Sequence, residues 1–71
     1  MVSAPEWMPI SSSHLSEVMY DPEKKTLGIR FHNGAEYSFQ GVDAEIARGL
    51  LSAPSPGRYF NQFIKGHYDY E

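Results

Sequence analysis

Two alternating apolar runs flank Asn33-Gly34, and the register between them is the tightest constraint on how this chain can fold. Leu27, Ile29 and Phe31 alternate with Gly28, Arg30 and His32, and Tyr37 and Phe39 alternate with Ser38 and Gln40. Successive side chains of a strand point to opposite faces, so each run reads as a strand with one apolar face. If Asn33-Gly34 alone formed the turn, His32 would face Ala35 and Ile29 would face Ser38, and the apolar face would break between the strands. A loop of His32, Asn33 and Gly34, with Gly34 left-handed in a bulge, instead pairs Phe31 with Ala35, Ile29 with Tyr37 and Leu27 with Phe39. Only this register buries one consistent face, because a slip of one residue turns every side chain over.

The preceding hairpin follows the same logic. Ser13 to Tyr20 carries a strand pattern with Ser16, Val18 and Tyr20 on one face, stopped by Asp21-Pro22. A loop from Pro22 to Lys25 pairs Asp21 with Thr26, Tyr20 with Leu27 and Val18 with Ile29, while Asp21 and Glu23 sit in the turn, where Asp braces the backbone. The shared apolar face then holds Val18, Tyr20, Leu27, Ile29, Phe31, Tyr37 and Phe39. On the opposite face Arg30 falls between Glu17 and Glu36, a solvated charge pattern rather than the exposed aromatic platform of an RNA-reading sheet.

After Gly41 the apolar period lengthens from that of a strand to that of a helix. Asp43 is the expected N-cap, Val42 the staple residue, and Ala44, Ile46, Ala47, Leu50 and Leu51 the apolar stripe of a helix ending near Ala53-Pro54. A second helix is predicted with Ser55 as N-cap and Pro56 at its first position, running through Lys65 to Gly66. Within it Tyr59 and Phe63, and Phe60 and Ile64, are four apart and share a flank, and Phe60, Phe63 and Ile64 read as core. The predicted class is α+β: a three-stranded antiparallel β-meander followed by two short α-helices packed on one face, in the order βββαα. Residues 1–10, with Pro5 and Pro9, read as an extended lead-in whose large apolar group is Trp7, and residues 11–71 as a single domain. The tail from His67 to Glu71 shows no clear period.

This core has no covalent support. Chains as short as 71 residues bury a small fraction of their surface, and the absence of cysteine removes disulfides, thiolate metal sites and thiol nucleophiles together. Ten aromatic residues are the available compensation, with oligomerisation as the other route. No apolar run approaches the ~20 residues of a membrane span, and Met1 to Ile10 lacks the basic and apolar regions of a secretory signal. The expectation is a soluble cytoplasmic domain with no cofactor and no metal.

The charge distribution directs attention to the second part of the chain. Residues 1–47 carry a balance of −4 and residues 48–71 a balance of +1, within a total of −3. Pro54 to Tyr68 is a stretch with interleaved cations and aromatics and no acid. A helix start with free N–H groups, flexible Gly57 and adjacent Arg58 suits a phosphate, and Tyr59 and Tyr68 can stack on bases. The candidate contact residues are Ser55, Gly57, Arg58, Tyr59, Asn61 and Lys65. His14, His32 and His67 lack metal-ligand spacing. Ser11-Ser12-Ser13 beside His14 reads as a strand-start cluster bonding backbone, since a Ser–His nucleophile pair is normally assembled from separate elements.

The order Ser11-Ser12-Ser13, Tyr20-Asp21, Leu27-x-Ile29-x-Phe31-x-Asn33-Gly34, Tyr37-x-Phe39, Val42, Ala53-Pro54-Ser55-x-Gly57-x-Tyr59-Phe60-Asn61 and Ile64 resembles the KTSC domain family. That family takes its name from the C-terminus of some lysyl-tRNA synthetases and also occurs as stand-alone bacterial and phage-type proteins. The likeness runs from Ser11 to Tyr68, and the synthetase fusion implies RNA contact by association. The family's central Tyr-x-Tyr stands here as Tyr37-Ser38-Phe39, which keeps a packing role and removes one hydroxyl.

The leading expectation is a non-enzymatic binding module that contacts RNA or another polyanion through residues 55–65. The alternative is a protein-interaction module or small homo-oligomer whose surface includes Trp7 and the tail tyrosines. An enzyme using His14 or His32 with a serine or carboxylate ranks last.

Overall fold

A computed structural model describes residues 6–71, so the first half of the expected lead-in, residues 1–5, lies outside the described residues. The element order is β1 (Met8–Pro9), β2 (Leu15–Asp21), β3 (Thr26–Phe31), β4 (Glu36–Phe39), α1 (Ala44–Ser52) and α2 (Pro56–Tyr59), which runs directly into a π-helical turn, Phe60–Ile64. The strands form one antiparallel sheet in the order β1-β2-β3-β4.

Both hairpins adopt the expected registers. Across β2 and β3, Val18 faces Ile29, Tyr20 faces Leu27 and Asp21 faces Thr26. Asp21 Oδ1 accepts the Glu23 N–H at 3.0 Å and bends the loop. Across β3 and β4, Leu27 faces Phe39 and Ile29 faces Tyr37, and the Phe31 N–H donates to the Ala35 carbonyl at 2.8 Å. Gly34 closes that loop at φ 93°, a conformation that costs a residue with a Cβ and suits glycine.

Among the described residues the sheet has four strands where the sequence pattern shows three. The prolines of the lead-in suggested no element, yet Met8 pairs with Val18 and Pro9 with Glu17. Proline is tolerated there because the strand is two residues long and lies at an edge, where a missing N–H breaks no inner ladder. The face assigned to the start of β2 also changes. A bulge between Leu15 and Glu17 absorbs Ser16, so Leu15 is buried in the position expected for Ser16.

Helix α1 presents Ala47 and Leu50 to the core, with Ile46 half-buried, while Ala44 and Leu51 are exposed. Asp43 occupies the N-cap without a side-chain capping bond, and its carboxylate instead lies 3.4 Å from Lys25 Nζ. Past Tyr59 the hydrogen bonding lengthens to five residues, the Lys65 N–H donating to the Phe60 carbonyl at 2.8 Å. The wider turn keeps Phe60 and Ile64 buried but leaves Phe63 44% exposed, against the expectation of a core residue. The core is Leu15, Val18, Leu27, Ile29, Phe39 and Val42 from the sheet side, closed by Ala47, Leu50, Phe60 and Ile64.

Candidate binding site around Arg58

Pro56 enters the first position of α2, where its missing N–H costs nothing, and Pro56 and Gly57 are both buried. Gly57 lies against His14: a Cβ at this position would sit 3.1 Å from His14 Cδ2. That close approach brings the start of α2 onto the segment before β2. Between them is a polar cleft of about 580 Å³, lined by Ser11, Ser12, Ser13 and His14 from one side and by Ser55, Arg58 and Asn61 from the other.

Within the cleft Ser12 is committed to the backbone. Its Oγ accepts N–H bonds from His14 and Leu15, each at 3.2 Å, and its carbonyl accepts the His32 ring N–H at 2.9 Å. Ser55 stands at the N-cap position, makes no side-chain capping bond and lines the cleft. Arg58 is exposed. Among the described residues the ion pairs are Lys25 with Asp43 and Arg30 with Glu17 and Glu36; Arg48, Arg58 and Lys65 take no part in one. Arg30, by contrast, is neutralised by hydrogen bonds to Glu36 and Glu17 that raise its pKa further, and the Trp7 ring lies 3.9 Å from its guanidinium carbon. Trp7 therefore covers part of the sheet face expected to be open to solvent.

A second cavity, of about 330 Å³, shares His14, Gly57 and Asn61 with the polar cleft and continues along an aromatic wall that includes Phe31, Tyr37 and Tyr70. Lys65 lines this second cavity and not the first. Tyr37 lies on the apolar side of the sheet as expected, yet it is 36% exposed and meets Tyr70 edge-on with centroids 5.2 Å apart.

Of the six candidate residues, Ser55, Gly57, Arg58 and Asn61 converge on the polar cleft and Lys65 lies in the adjoining cavity. Tyr59 belongs to neither. Its hydroxyl donates to the Ile46 carbonyl at 3.0 Å and its ring packs on Phe63 at 4.8 Å, so it joins α2 to α1. Tyr68, expected to be available for stacking, is half-buried against the core. Ser11, Ser13 and His14 were visible in the sequence as a cluster, but their place opposite Arg58 is a long-range contact with no local signature.

The KTSC domain family profile matches residues 11–68. A protein of Stutzerimonas stutzeri, described as uncharacterized, is 44% identical over 62 residues, covering 86% of this chain and 87% of that one. A lysine–tRNA ligase of Nostoc is 37% identical over 59 residues, which are 83% of this chain and 10% of the ligase. Among solved structures, the crystal structure of a KTSC domain protein from Yersinia pestis superposes with a TM-score of 0.93 at 34% identity, covering 96% of both chains.

Proposed function

Because this chain belongs to the KTSC domain family, we propose that it is a small non-enzymatic binding module that contacts RNA or another polyanion through the cleft around Arg58. The observation that carries this reading is the convergence of the serine segment Ser11–Ser13 with Ser55 and Asn61 around the Arg58 guanidinium, which has no carboxylate partner among the described residues. Arginine with flanking hydroxyl and amide donors matches the acceptor geometry of a phosphate. The similarity to a segment of a lysine–tRNA ligase supports RNA as the polyanion. The net charge of −3 and the few free cations nearby fit contact with a few phosphates rather than tight non-specific coating. The reading places the module in the cytoplasm. No helix among the described residues is long and apolar enough to cross a membrane.

We assign it no reaction. The protein-interaction alternative loses Trp7, which is engaged by Arg30, and rests on the tyrosines beside β4. A salt titration of tRNA binding tests the RNA reading. Arg58→Ala is expected to flatten the dependence of log K on log salt by about 0.7 for each single-stranded phosphate that the arginine neutralises. Absence of binding at low salt, or binding indifferent to both Arg58→Ala and Lys65→Ala, removes it.

A further inference from the structure

Among the described residues the sheet has two edges. One is β1, two residues long and carrying Pro9; the other is β4, four residues long and free of proline. An open edge of the second kind offers unpaired N–H and C=O groups to any extended chain, and folded proteins cover or blunt such edges. Here the cover is supplied by residues 69–71. The Gln40 N–H donates to the Asp69 carbonyl at 2.8 Å, the Glu71 N–H donates to the Ser38 carbonyl at 3.0 Å, and the Ser38 N–H donates to the Glu71 carbonyl at 3.2 Å. Between these bonds Tyr70 bridges to Phe39, and its ring meets Tyr37 at 5.2 Å and Phe39 at 5.4 Å.

This cover is lightly held. Gly66, at φ 82°, ends the helical segment, and Tyr68 anchors the chain by packing half-buried on the core. Beyond that anchor Asp69, Tyr70 and Glu71 are all exposed, Tyr70 by 60%. Three backbone bonds and one partly exposed ring place the segment at the low-stability end of the molecule, where local opening precedes global unfolding. Because Tyr70 is one wall of the aromatic cavity, its withdrawal opens the cavity and the β4 edge together.

We propose that the outer edge of β4 is a strand-addition site for an extended partner segment bearing one aromatic residue, and that Asp69-Tyr70-Glu71 occupies this site in the resting protein. The seated segment displays the chemistry of the occupant. Main-chain bonds to Ser38 and Gln40 supply register without regard to sequence, and a single ring between Tyr37 and Phe39 supplies selectivity. The proposal is independent of the RNA reading, because none of the pairing residues lines the polar cleft.

The test uses a fluorescent peptide with the sequence of residues 66–71 and the full-length protein. A chain whose own segment competes binds with an apparent affinity reduced by the fraction of time the edge is open, so Tyr70→Ala is expected to bind the peptide at least about tenfold more tightly than the parent. Glu71→Pro, which deletes the N–H donated to Ser38, is expected to act the same way. In both variants amide exchange at Ser38 and Gln40 should accelerate while Leu27 and Ile29 stay protected, and excess peptide should restore the slow exchange. A peptide with alanine at the tyrosine matching Tyr70 should not bind, and Arg58→Ala should leave peptide binding intact. Equal affinity for parent and variants, absence of binding to all of them, or exchange that peptide does not slow would overturn the proposal. Self-association through exchanged 69–71 segments in place of peptide binding would overturn it too, by assigning the edge to a second copy of the chain.

Discussion

The Tyr59 hydroxyl donates to the Ile46 carbonyl across the surface of α1, directly over Gly49. A Cβ at Gly49 would overlap that hydroxyl and lie 2.7 Å from Tyr59 Cζ. The contact ties the helix beginning at Pro56 to the one before it, and so fixes where the Arg58 cleft opens. It also explains a glycine inside a helix, where alanine is ordinarily preferred by about 1 kcal/mol.

Gly49→Ala is therefore expected to destabilise the protein by ~1–3 kcal/mol in urea unfolding, despite its better helix propensity. Tyr59→Phe removes the hydroxyl and should cost about 1 kcal/mol alone. Combined with Gly49→Ala it should recover part of the loss, so the two changes are less than additive. Strict additivity would show that the two sites do not touch.

Phe60 and Phe63 separate the π-helical turn from a regular helix. Phe60→Ala is expected to cost ~3–5 kcal/mol, a large part of the roughly 5–10 kcal/mol that holds a domain of this size together. Phe63→Ala, at an exposed position, should cost under about 1 kcal/mol. Equal losses in thermal or urea unfolding would contradict the widened turn.

Trp7 is the single tryptophan and reports on the outer face of the sheet. A Cβ at Gly28 would sit 2.8 Å from Trp7 Cη2 and 3.0 Å from Met19 Cε. Gly28→Ala should displace the indole from Arg30 and shift its fluorescence to longer wavelength, with Trp7 quenched more readily by iodide. An unchanged spectrum would place Trp7 elsewhere.

Tyr20 sets an alkaline limit. Burial pushes its phenol pKa above the ordinary 10.0; Lys25 pulls the other way, and Asp43, Asp21 and Tyr68 add to the rise. The same hydroxyl donates to the Val42 carbonyl, which needs the proton. The unfolded chain thus loses this proton first. Tyr20's contribution is complete below pH 10 and declines as pH climbs through the interval up to the folded pKa. Stability measured from about pH 8 to 11 should fall less steeply in Tyr20→Phe than in the parent, and identical slopes would refute the assignment.

Local pattern was sufficient wherever the interaction repeats along the chain. The alternation of Leu27, Ile29 and Phe31 with their partners, the three-residue loop at Gly34 and the placement of Glu17, Arg30 and Glu36 follow from a period of two and one apolar face. Proline at the start of α2 was equally legible, because φ and the missing N–H are properties of one residue. The pattern also carries the family likeness, whose extent the profile match over residues 11–68 bears out.

Everything that depends on two distant segments meeting was decided by the tertiary structure. Met8 pairs with Val18 without any alternation to announce it, and the bulge at Ser16 turns Leu15 inward, where it is fully buried. Asp69–Glu71 finds the β4 edge because its open N–H and C=O groups need partners and the Tyr70 ring seats against Tyr37 and Phe39. Sequence alone located the cations and the hydroxyls. Packing of Gly57 on His14 brings Ser11–Ser13 opposite Arg58, while the hydroxyl bond to Ile46 draws Tyr59 away from them.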